Sequence, residues 1–169
     1  MKIFKTSTLT IIAALLFSCQ PAVESEPKID LTIYNLNLDT AKKLFASFST
    51  EDLDSQKPLL CPGITHYSPF YGSKPSKMKG FLAASKAWMD NFDEISYNDS
   101  KWFPGTDQLG KPDGSVMTSG IWSAKNTATG NVININAFHT FTFNKKNQIH
   151  ETRDFFDASG LMAAAMKVE

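Results

Sequence analysis

Apolar residues recur at three- and four-residue spacing through Leu38, Ala41, Leu44, Phe45 and Phe48, which places them on one stripe and predicts a helix. Ser49-Thr50-Glu51-Asp52 then offers a hydroxyl followed by an acid three residues on. That pattern predicts a short second helix ending before Pro62-Gly63. Ile64 to Phe70 is β-rich at first and closed by Pro69, as in a short edge strand. A further stripe, Met78, Phe81, Leu82, Ser85, Trp88, Met89 and Phe92, predicts the longest helix of the chain between Ser76 and Phe92. From there the pattern changes to strands over 94–103, 115–125, 132–144 and 148–156. Pro104-Gly105, Pro112-Asp113-Gly114, Thr129-Gly130 and Asn144-Lys145-Lys146-Asn147 act as breakers. Residues 158–167 close the chain as a short helix. Helices first and a run of antiparallel strands afterwards indicate an α+β architecture.

The strand over 132–144 is the most informative. Strict alternation puts Ile133, Ile135, Ala137, His139, Phe141 and Phe143 on one face, so His139 lies among apolar side chains. The opposite face carries Asn134, Asn136, Phe138 and Thr140, a surface on which two copies could pair. The last strand is ambiguous: Ile149, Glu151, Arg153, Phe155 and Asp157 share one parity, and His150, Thr152, Asp154 and Phe156 the other. A bulge would reverse half of these assignments.

The N-terminus carries a different message. Lys2 and Lys5, an apolar run from Leu9 to Phe17 and the small Ser18 have the layout of a secretory signal, too short to span a membrane permanently. Leu16-Phe17-Ser18-Cys19 resembles a bacterial lipobox, which implies cleavage before Cys19, a diacylglycerol on its thiol and a place in the cell envelope. Gln20 after the cysteine implies the outer membrane. Residues 19–30 hold two prolines and three acids and read as a solvated tether, with the folded domain over 31–169.

Composition narrows the chemistry. The 169 residues carry 17 basic and 17 acidic groups, and 42% are hydrophobic, enough for one domain with a core. Loss of residues 1–18 leaves 15 basic against 17 acidic groups, a formal charge of −2. Arg153 is the single arginine among scattered lysines, which argues against nucleic acid. Two cysteines and three histidines without CxxC or HxxxH spacing give no metal signature, and no cofactor fingerprint is present. Cys61 reads as a small buried hydrophobe.

The order of elements, together with AFHTFTFN (137–144), QIHETRDFFDASGL (148–161) and the GIWSAKNTATG region (120–130), resembles the nuclear transport factor 2-like superfamily, which includes ketosteroid isomerase and the SnoaL-like cyclases. The resemblance implies a cone: a curved antiparallel sheet wrapped around a long helix, with a cavity at the open end. Laid over the isomerase pattern, the enolate-binding tyrosine falls on Leu44, the general base on Ser68 and the protonated acid on His139. Leucine cannot donate and an unassisted serine is a poor base, so isomerase chemistry of that kind is disfavoured. The cyclase-like members keep an acid at the position of Asp157, in Asp157-Ala158-Ser159-Gly160-Leu161. Asp157 therefore reads either as an acid or base working with His139, or as the N-cap of the final helix. His66 and Ser68 near the cavity mouth, with Leu44, Phe141, Trp102 and Trp122 as walls, complete a pocket for a small, largely apolar molecule. Tyr34, Tyr67 and Tyr71 are further aromatic walls with polar tips. Arg153, between Glu151 and Asp154, reads as a carboxylate clamp or a plain surface ion pair. Three functions fit this pattern: a binding module without chemistry, an acid–base enzyme using Asp157 and His139, or a non-catalytic dimeric module.

Overall fold

The computed structural model describes residues 29–167; the signal segment, Cys19 and all but the last two residues of the tether lie outside it. Helix α1 (Thr32–Ser49) is followed by a four-residue helix α2 (Leu53–Gln56), a 3-10 turn over Lys57–Leu59, strand β1 (Leu60–Tyr67), helix α3 (Met78–Asn91), strands β2 (Phe92–Thr106), β3 (Pro112–Asn126), β4 (Val132–Phe143) and β5 (Ile149–Phe155), and helix α4 (Ala158–Met166). The strands form one curled, unclosed sheet in the order β1-β5-β4-β3-β2. Neighbours pair antiparallel except β1, which runs parallel to β5. The α+β class and the wrapped sheet are as the sequence implies.

Several local expectations are corrected. α1 begins at Thr32, six residues before the apolar stripe becomes regular, and at 18 residues it is longer than the 14-residue α3. Buried Tyr34 and Asn37 continue its inner face upstream of Leu38, with the Asn37 side-chain amide donating to the Gly114 carbonyl at 2.7 Å. The second helix is capped by Asp52, whose carboxylate accepts from the Ser55 N–H; Thr50 instead closes α1. Neither Pro62-Gly63 nor Pro104-Gly105 interrupts structure, since both lie inside the two edge strands, β1 and β2, where register irregularities absorb a missing N–H.

The core forms where the concave face of the sheet meets α1 and α3. Phe45 on α1 is its aromatic centre: its ring lies 4.9 Å from Trp122, 4.7 Å from Tyr97 and 5.1 Å from His139. Gly120 in mid-β3 makes room for this cluster, because a Cβ there would fall 2.6 Å from the Tyr97 ring. Burial pushes the Tyr97 phenol up, partly offset by its contact with the Thr118 hydroxyl.

Candidate active site

Alternation along β4 is confirmed residue by residue: Ile133, Ala137, His139 and Phe141 are buried, while Val132, Asn134 and Asn136 are exposed. β5 behaves differently. Phe143 pairs with Ile149 and Thr142 with Glu151, so His150 is an extra residue in the ladder. Its insertion lets Ile149 and Thr152 both point inward, and two residues further on Asp154 shares that side. Asp154 stands directly opposite His139 on β4, and diagonal to His66, whose partner on β5 is Thr152.

These three side chains form one chain of hydrogen bonds. His139 Nδ1 lies 2.8 Å from Asp154 Oδ1, and His66 Nε2 lies 2.8 Å from Asp154 Oδ2. The Trp122 indole N–H donates to His139 Nε2 at 3.0 Å. An indole nitrogen can only donate, so Nε2 accepts and the His139 proton sits on Nδ1, facing the carboxylate. His66 is held from both sides of its backbone by Ser76, with N–H···O distances of 2.9 Å in each direction. Its Nδ1 meets only the Ser76 hydroxyl at 3.4 Å, the longest contact in the set. Both imidazoles are buried, and the Asp154 side chain is 22% exposed.

The electrostatics follow from this geometry. Burial by itself raises the Asp154 carboxyl, but the hydrogen bonds and charges of His139 and His66 outweigh it and bring the group down to about 2 from 3.8. A carboxyl more acidic in the folded than in the unfolded chain stabilises the fold fully above its unfolded value. That stabilisation disappears as pH falls through the folded value. Acid titration followed by circular dichroism is therefore expected to show a loss on the order of 2 kcal/mol between pH 4 and pH 2 from this group.

The trio forms part of the wall of a cavity of about 160 Å3. The rest of the lining is mainly apolar, with Leu44, Phe45 and Trp122 at the base and Phe141 beside His139. Exposed Phe70 and Ala84 mark the mouth. Leu44, His66, Ser68, Trp122, His139 and Phe141 are brought together in this lining. Trp102 is not. It packs edge-on to Phe45 at 5.3 Å, outside the cavity lining, with its N–H on the Ser100 hydroxyl. Tyr34 is buried in the core away from the cavity, and Tyr71 is fully exposed.

Of the two readings of Asp157, the structure shows the cap. Its carboxylate accepts from the Gly160 N–H at 2.8 Å and caps α4; the residue is exposed and outside the cavity lining. The acid that faces His139 is Asp154, which parity alone could not select. Cys61 is buried as expected, with its sulfur 3.5 Å from His150 Nδ1. Among the described residues, no group of three or more His, Cys, Asp or Glu is arranged to hold a metal ion, and no helix is long and apolar enough to cross a membrane.

No protein-family model and no curated protein matches the sequence. Solved structures do match. A proposed isomerase from Bacillus subtilis superposes with a TM-score of 0.66 at 15% identity, covering 78% of this chain and 94% of that one. A proposed SnoaL-like polyketide cyclase from Jannaschia sp. CCS1 gives 0.65 at 16% identity, over 84% of this chain and 100% of the other. An NTF2-like protein from Burkholderia xenovorans LB400 gives 0.59 at 17% identity, over 78% and 96%. Helices packed into a curled five-stranded sheet, an open-ended cavity and these superpositions agree on one scaffold: the chain has the fold of the nuclear transport factor 2-like superfamily.

Proposed function

We propose that the protein is an acid–base catalyst that takes one small, largely apolar molecule into the cavity and moves a proton on it, as cyclisation and isomerisation require. The observation that carries this reading is a single carboxylate, Asp154, bridging two buried imidazoles in an otherwise apolar wall. The Asp154 carboxylate has both oxygens engaged by the two imidazoles and is not free to take a proton from carbon. Its work is to orient the rings, and the proton acceptor is His66, whose Nδ1 has only the long Ser76 contact. His139, with Nε2 occupied by Trp122, holds the other carboxylate oxygen in place. Asp154 thus replaces Asp157 in the enzyme reading. The same domain is tethered to the outer membrane through an acylated Cys19, a reading supported by the Leu16–Cys19 segment.

A second reading, binding without chemistry, is favoured by one observation: every imidazole nitrogen of His66 and His139 already has a protein partner. One experiment separates the two. Protein isolated from its own cells is analysed by native mass spectrometry for a bound small molecule and then incubated in deuterated water. Deuterium entering a carbon position of that molecule supports catalysis, a bound molecule without exchange supports the binding module, and a cavity found empty contradicts both. Cys19→Ser is expected to move the protein from the membrane to the soluble fraction, and unchanged fractionation would refute the anchor.

A further inference from the structure

Arg153 is the only arginine in the chain, and the structure prepares it for a ligand. It pairs across the sheet with Tyr67, the last residue of β1 in register with β5. Beyond that pair β1 leaves the sheet at Ser68-Pro69, while β5 continues beside β4 to the Phe155–Phe138 pair. The divergence opens a cleft of about 410 Å3 lined by Tyr67, Arg153 and Phe155. The cleft also shares Ser68, Pro69, Asp154 and Phe156 with the inner cavity, so the two spaces adjoin along these residues, and Asp154 is the one member of the trio that borders both.

The guanidinium in this cleft is fixed on two sides. Its carbon lies 3.9 Å above the Tyr67 ring centre, and its Nε donates to Glu151 Oε1 at 2.8 Å. Among the described residues no hydrogen bond engages its two terminal nitrogens, and the side chain is partly exposed. A planar fork held by stacking and by Nε keeps those nitrogens for a bidentate acceptor, the geometry that suits a carboxylate. Glu151 beside the fork and Asp154 on the shared wall place two negative charges nearby, which disfavours a dianion such as phosphate.

We propose that this cleft is the carboxylate subsite of the cavity, so that the substrate is a small monocarboxylic acid whose apolar body lies inside and whose carboxylate rests on Arg153. The inference rests on the cavity reading under Proposed function and adds the ligand's charged end. The inner space of about 160 Å3 has room for roughly one six-membered ring, since a cavity of about 150 Å3 accepts benzene.

The test uses ω-phenylalkanoic acids from benzoate to phenylbutanoate, each beside its primary amide, titrated calorimetrically into the full chain. At one tether length the acid is expected to bind at least about tenfold tighter than its amide. Arg153→Gln should erase that gap and leave the amide's affinity unchanged, while Arg153→Lys, which keeps the charge without the fork, should retain only part of it. Equal binding of acid and amide at every length, or a gap that persists in Arg153→Gln, overturns the subsite and leaves the cavity intact. Failure of every acid and every amide to bind overturns the cavity reading itself, and the subsite with it.

Discussion

Asp154→Asn is expected to abolish proton exchange on the bound molecule, by about 100- to 10,000-fold, while leaving the protein folded. The asymmetry of the trio dictates why. Trp122 fixes the His139 proton on Nδ1, so the carbonyl oxygen of an asparagine at 154 must face His139. The amide nitrogen then faces His66 Nε2 and donates to it, which forces the His66 proton onto Nδ1, toward Ser76. The hydrogen bonds survive in number, so the cost in stability is about 1–3 kcal/mol, the difference between charged and neutral bonding. The acceptor nitrogen, however, is lost. Imidazole 15N spectra should show His66 exchanging tautomer and His139 unchanged. A His139 that changes while His66 does not, or exchange that continues at the wild-type rate, would refute the assignment of roles.

Phe141→Ala carries the largest expected loss of stability, about 3–5 kcal/mol. The ring is 1% exposed, borders Phe45 at 5.8 Å and stacks on His139 at 6.4 Å. Its removal opens a void continuous with the cavity that neighbouring strands cannot collapse into. For a chain of this size the melting temperature should fall by roughly 10 °C. Phe70, half-exposed at the mouth, is the control: Phe70→Ala should change stability by less than about 0.5 kcal/mol. Equal effects of the two substitutions in a thermal melt would mean that Phe141 is not the structural wall described above.

The same residues explain what sequence reading reaches and where it stops. On β4 the two faces differ sharply, Ile133, Ala137 and Phe141 against Asn134, Asn136 and Thr140, so the orientation of His139 is legible. On β5 both parities carry an acid, a polar residue and an aromatic. Hydrophobicity cannot rank them, and the register is decided by the extra His150, which only pairing with β4 reveals. Asp157 draws attention through its match to the acid of the cyclase-like pattern, and its place before a helix start gives it an N-cap role that needs no chemistry. Proline has a similar ambiguity: Pro62 and Pro104 read as breaks, but an edge strand has one side on which the missing N–H costs nothing. Trp102 fails for a simpler reason, as an aromatic can serve the core without reaching the hollow beside it.

The parallel pairing of β1 with β5 also sets the sequence of assembly. The meander from β2 to β5 closes through hairpins between neighbours in the chain, whereas His66 reaches Asp154 across 88 positions. Loop-closure entropy makes such a distant union slow and the first to open. β1 is therefore expected to dock last, so that His139 meets the carboxylate before His66 arrives, and on the proposed assignment of roles the proton acceptor is the final part to fall into place.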